Sequence, residues 1–94
     1  MNRTGFLYDE RYQLHLTGSY HPEVPERLAC VYRGIQEAGL LSHLIHIKAS
    51  RADMKWIDLV HDGRYIQRFE AACLSGKRMF DSPDNQMCYD TYET

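Results

Sequence analysis

No run of apolar residues in this 94-residue chain approaches the ~18 needed to cross a bilayer, so a membrane-embedded role is not expected. Charge of one sign is lacking as well. Eleven Lys and Arg stand against 13 Asp and Glu, a net charge of −2, so nothing draws the chain as a whole towards nucleic acid or an anionic membrane. Paired cysteines are missing: Cys30, Cys73 and Cys88 are an odd number, and none has CxxC spacing. That argues against a disulfide framework, and no local Cys–His signature suggests a thiol nucleophile. The three are read as reduced thiols packed as small hydrophobes, two of them within helices. There is no low-complexity tract, internal repeat or linker. Met1-Asn2-Arg3-Thr4-Gly5 lacks the apolar core of a signal peptide, which makes the cytoplasm the expected location.

What remains is one small domain of ordinary globular composition, 44% hydrophobic and 26% charged. A chain of this length buries roughly 60–70% of its unfolded surface, so its core is thin. The run 4–8 is apolar and aromatic and predicts a strand. Residues 12–24 are polar, carry Pro22 and run up to Pro25, and each proline biases its predecessor away from the helical region, which predicts an extended loop. Pro25 suits a first helical turn and Glu26 its positive end. Leu28, Val31, Tyr32, Ile35 and Ala38 then recur at helical spacing, with Gly39 as the stop.

Residues 44–49 alternate. Ile45, Ile47 and Ala49 fall on one face, and His46 and Lys48 on the other, expected to be the less buried one. Asp53 is a fair N-cap for a short helix through Val60, which His61-Asp62-Gly63 breaks. Residues 64–74 predict a further helix burying Tyr65, Ile66, Phe69 and Cys73, closed by Gly76. Asp81-Ser82-Pro83-Asp84-Asn85 reads as a turn, and the tail shows no firm period. Strand, helix, strand with more than 25 residues between suits a crossover between parallel strands. Two parallel strands with three helices cannot cover both faces of a sheet, so the pattern reads as the start of a larger α/β domain.

These elements carry a resemblance. Thr4-Gly5-Phe6-Leu7-Tyr8-Asp9-Glu10-Arg11, then His15, then His21-Pro22-Glu23-Val24-Pro25-Glu26-Arg27-Leu28, is similar to the N-terminal segment of the histone deacetylase superfamily. Its closest flavour is that of the bacterial class II-like deacetylases and acetylpolyamine amidohydrolases. The likeness continues through Gly39-Leu40-Leu41, Val60-His61-Asp62, Tyr65-Ile66, Ser75-Gly76-Lys77, Asp81 to Asn85 and Thr91-Tyr92-Glu93. It covers nearly the whole chain in order. The resemblance implies a partial three-layer α/β/α arginase-deacetylase fold, about two parallel strands and three helices, completed by self-association.

The resemblance also implies roles, each beside a plainer reading. His21, Pro22 and Glu23 would form part of the rim of an active-site tunnel, with His21 a hydrogen-bonding residue of the loop rather than a ligand. Asp84 would be a rim aspartate accepting hydrogen bonds from substrate, or simply a turn former. Arg27 would stand near an internal cavity, or be half of a structural salt bridge. Tyr8 would line that interior, or belong to the core. The family's chemistry needs zinc held by two aspartates and a histidine including an Asp-x-His element, a His-His pair and a tyrosine. His15, His21, His43, His46 and His61 include no adjacent pair, and no Asp-x-His occurs. No catalytic residue, metal ligand or cofactor is therefore expected within these 94 residues.

Three functions remain open. The first is a truncated deacetylase-like chain without catalysis of its own, whose Leu28/Val31/Ile35 and Ile66/Phe69 faces are bare and drive homodimerisation. The second is one piece of a zinc-dependent deacetylase completed by a second polypeptide. The third is a small module that recognises acetylated or cationic amines through Glu23 and Asp84. Nucleic acid and membrane are not expected partners.

Overall fold

The chain is described here by a computed structural model covering residues 3–94. Met1 and Asn2, part of the stretch inspected for a signal, lie outside the described residues. Strand β1 (Gly5–Leu7) leads into a short 3-10 helix (Glu10–Leu14) and then the long loop. Helix α1 (Pro25–Glu37), a 3-10 turn (Leu41–His43), strand β2 (Ile45–Ile47), α2 (Met54–Asp58) and α3 (Gly63–Leu74) follow. The chain ends in a ribbon of β3 (Met79–Phe80) and β4 (Ser82–Gln86).

The helix ends follow from local chemistry. Val24 offers α1 no side-chain cap, so its start rests on Pro25 in the first turn and on Glu26 near the positive end. Gly39, at φ 70°, takes the left-handed position that ends it. The Asp53 carboxylate accepts the Lys55 amide at 3.0 Å and starts α2, which stops two residues short of the expected Val60. Asp62 does more than break a helix: its carboxylate accepts the Arg64 amide at 2.8 Å and caps α3.

Strands β1 and β2 pair in parallel, Gly5 opposite Ile45 and Leu7 opposite Ile47, as the crossover argument requires. The expected burial of the Ile45/Ile47 face does not occur: all three residues of β2 are exposed. Phe6 and His46 share the face towards α1, where the Phe6 ring lies 6.3 Å from Tyr32 and 6.0 Å edge-on to His46. Leu7, Ile45 and Ile47 share the opposite face, and Ile45 and Ile47 remain 45% and 50% exposed. The reason lies in the neighbours. The rings of Phe6 and Tyr8 pack with Tyr32 of α1, and the aliphatic side is left about half exposed.

A second correction concerns α3. Its Ile66/Phe69 face, expected to be bare, is not: Ile66 is buried, and Phe69 packs on Phe80 of the β3–β4 ribbon. Ala72, Cys73, Phe80 and Met87 form a buried cluster, with Phe69 and Tyr92 packed against it. Phe80 meets both Tyr65 and Phe69 edge-to-face at 5.3 Å, and the Cys73 thiol lies 3.7 Å from the Met87 sulfur. Asp81 to Asn85 is rich in turn formers and predicts a turn, but most of it is strand. Only Asp81 turns: it adopts φ 61°, which Asp tolerates, and its carboxylate is held by Arg68 at 2.7 Å. Ser82 to Gln86 then continue as strand, and Pro83 sits in a two-stranded ribbon whose outer side needs no N–H.

Three helices with a two-stranded parallel sheet make a partial α/β fold of the kind the resemblance implies. The result is a slab of 43 × 34 × 17 Å. Its radius of gyration is 15.9 Å, where a compact chain of this length has about 12.4 Å. Its 7727 Å² of accessible surface exceeds the ~5,600 Å² typical of an 11.0 kDa monomer by roughly 2,000 Å². No helix among the described residues is long and apolar enough to cross a membrane.

Candidate functional site

The loop between the first 3-10 helix and α1 has no regular structure of its own, so its backbone groups must find partners elsewhere. Some are internal. The His21 amide donates to the Gly18 carbonyl at 3.0 Å, closing a turn, and the Thr17 hydroxyl donates to the Glu23 carbonyl. The Glu23 amide donates to His21 Nδ1 at 3.2 Å. That bond makes Nδ1 an acceptor, so the neutral ring carries its proton on Nε2.

The rest come from the far end of the chain. His21 Nε2 reaches the Asp84 carbonyl at 3.3 Å. The Gly18 amide donates to the side-chain oxygen of Gln86. The Leu16 amide donates to Cys88 Sγ at 3.2 Å, and the Cys88 thiol lies 3.1 Å from the Leu14 carbonyl. His15 Nδ1 lies 2.8 Å from the Thr91 hydroxyl, and its Nε2 3.5 Å from the Glu23 carboxylate. The Thr91 hydroxyl in turn accepts the Cys88 amide at 2.7 Å. Loop 15–24 is thus laid along β4 and the segment after it, with a cavity of about 470 Å³ between Leu16 to Gly18 and Gln86 to Tyr89.

This places the expected rim residues plainly. His21 is half-buried, whereas Pro22, Glu23 and Asp84 are exposed. His21 and Asp84, 63 residues apart, are brought together by a hydrogen bond from the His21 ring to the Asp84 backbone carbonyl. Tyr8 is half-buried and stacks on Tyr32 at 4.4 Å, its hydroxyl accepting from Gln13 Nε2 at 2.8 Å. Arg27 is exposed in the first turn of α1, its amide donating to the Val24 carbonyl, and no ion pair involving it occurs among the described residues.

The thiols differ from one another. All three are free, and Cys73 is buried as expected, but Cys30 is exposed. Burial pushes the Cys73 thiol up. Burial acts on Cys88 in the same direction, but hydrogen bonds from the Thr91 hydroxyl and from the Leu16 and Asp90 amides outweigh it and hold the thiol below its ordinary value. The roles of Gln86, Cys88 and Thr91 escaped sequence reasoning, because no local spacing marks side chains whose partners, the Gly18 and Leu16 amides and the His15 ring, lie some 70 residues away.

The parallel strand–helix–strand unit and the loop stapled to its far end define a segment of an α/β domain of the arginase-deacetylase type. The family model described as histone deacetylase domain matches residues 21–94. The chain is 34% identical over 66 residues to Histone deacetylase 5 of Arabidopsis thaliana, a match covering 68% of this chain. The chain belongs to the histone deacetylase family. It corresponds to 10% of the length of that relative.

The zinc that complete family members are expected to hold does not fit the residues present. Among the described residues no group of three or more His, Cys, Asp and Glu stands together as a metal site. His15 and Glu23 form a pair only, 3.5 Å apart, and the other ring nitrogen of His15 is engaged by the Thr91 hydroxyl.

Proposed function

We propose that this chain forms the entrance rim and part of the inner wall of a deacetylase-type domain and hydrolyses no amide by itself. One observation carries the reading: loop 15–24 is fixed against β4 while no metal-holding cluster accompanies it. Glu23 and Asp84 are exposed to solvent beside the held loop, which supports the rim role, and no cluster that could hold a water-activating metal occurs among the described residues. The string His21 to Leu28 supports a class II-like or acetylpolyamine-type relationship within the family.

The bare face of β1–β2 must be covered, since parallel sheets are stable with both faces packed. A second copy is the natural cover. A dimer of ordinary size removes about 800 Å² from each partner, well within the roughly 2,000 Å² by which this chain exceeds a compact monomer. A second reading rests on the match to only 10% of the Arabidopsis relative: a separate polypeptide carrying the zinc site would cover the same face.

Metal analysis with an acetyl-lysine hydrolysis assay, and size-exclusion chromatography with light scattering, test these readings. The expected result is no stoichiometric zinc, no turnover and a dimer. Turnover with bound zinc overturns the non-catalytic reading. A folded monomer overturns the dimer, and activity gained on mixing with a zinc-bearing polypeptide establishes the split enzyme in its place.

A further inference from the structure

We infer that Gln86 is the positioning residue of the rim loop: its side-chain oxygen takes the Gly18 amide and sets the turn that aims His21 and Glu23. The inference rests on the rim reading for its functional meaning, but its geometry is independent of any activity. Of the loop's cross-chain ties, this one holds the turn itself. Gly18 is both donor to Gln86 and acceptor of the His21 amide, so the Gln86 oxygen fixes the first residue of the Gly18–His21 turn. His21 then presents Nδ1 to the Glu23 amide and Nε2 to the Asp84 carbonyl. One side chain on β4 thereby orients His21 and Glu23, which lie in a loop with no regular structure of its own.

The approach at Gly18 is close. A Cβ there would come 2.8 Å from Gln86 Oε1, with the amide carbon next at 3.6 Å. A methyl group at position 18 therefore collides with the end of a flexible side chain and with no backbone. The Gln86 amide swings aside, and the tie is lost without disturbing the loop's own fold. Gln86 is half-buried, last in β4, and lines the same cavity as Arg78, whose carbonyl accepts the Met87 amide at 2.9 Å. The strand that carries the tie is thus itself anchored to β3.

Three variants of the full chain test this by amide hydrogen exchange and by the position of the His21 ring resonances. Gln86→Leu keeps the size but removes the acceptor, and Gln86→Glu keeps an acceptor oxygen. Gly18→Ala breaks the tie from the other side. The expected result is that Gly18 and His21 amides exchange about three- to tenfold faster in Gln86→Leu and that the His21 resonances move. Gln86→Glu restores both, Ile66 to Cys73 of α3 keep wild-type protection throughout, and Gly18→Ala adds little to Gln86→Leu in the double variant. Equal loosening by Leu and Glu would make Gln86 a packing residue only and overturn the inference. So would an unchanged Gly18 amide in Gln86→Leu. Failure of the rim reading would leave these exchange results intact and show only as indifference of acetylated ligands to the loop.

Discussion

Phe80 is 6% exposed and joins β3 to α3, with Tyr65 and Phe69 edge-on to its ring and the Arg68 guanidinium 5.1 Å from its centre. Replacing it with Ala removes the ring from a cluster of few buried side chains. Phe→Ala in such a setting costs about 3–5 kcal/mol. A chain of this length has a total stability of about 5–14 kcal/mol, and a core this thin puts it towards the lower end. The substitution is therefore expected to remove most of the stability. In urea, followed by circular dichroism, the midpoint should fall by more than about 1 M, whereas Phe80→Leu, which keeps most of the apolar volume, should cost about 1–2 kcal/mol. The local consequence is as telling. Because β4 carries both Asp84 and Gln86, loosening the ribbon in Phe80→Ala should also release the Gly18 amide to exchange. A loss below about 1 kcal/mol would refute the claim that the ribbon is docked on α3, and so would a Phe80→Ala protein with the ribbon amides as protected as before.

Charge on the bare sheet face is the next test: Ile47→Glu should shift a dimer towards monomer in light scattering while leaving the helical circular dichroism of the monomer in place. The Asp9 carboxylate accepts the Arg11 amide and pairs with the guanidinium at 2.7 Å, holding it at about 2 against the ordinary 3.8. Its contribution is therefore complete above the ordinary value and disappears as pH falls through about 2; a carbon-detected titration should show that low midpoint, and Arg11→Ala should raise it towards 3.8. Thiol labelling followed by mass spectrometry should modify Cys30 and Cys88 in the folded chain and spare Cys73 until urea is added. Thr91→Val should move the pH midpoint of Cys88 labelling upwards, because it removes a hydrogen bond that favours the thiolate. Equal labelling of Cys73 in the folded state would contradict the buried cluster.

Local chemistry was legible in the residues. Pro25, Glu26 and Gly39 bracket α1, Gly76 closes α3, and the apolar runs near 5 and 45 are the paired strands. What escaped was decided by contacts rather than composition. Ser82-Pro83-Asp84-Asn85 has every mark of a turn, yet it is drawn out as strand because Phe80 and Met87 on either side are buried against α3. Ile45 and Ile47 alternate as a buried face should, yet stand bare because Tyr32 packs with the aromatic side instead. The likeness around His21 pointed correctly to the family. The side chains that hold loop 15–24, Gln86, Cys88 and Thr91, were invisible because their partners, the Gly18 and Leu16 amides and the His15 ring, lie far away in the chain.

That distance has a consequence for how the molecule is made. The ties from His15, Leu16, Gly18 and His21 to Thr91, Cys88, Gln86 and Asp84 span 76, 72, 68 and 63 residues. Closing the first of these loops carries nearly the whole entropic cost, and the others then form with little further restriction, so the set should appear together or not at all. On the ribosome the loop emerges well ahead of its fasteners, a wait of about 3–13 s at ordinary synthesis rates. Throughout that interval the polar loop is bare backbone, while β1, α1 and β2 can already pair. The part of the chain that most resembles an enzyme is the last to take its shape.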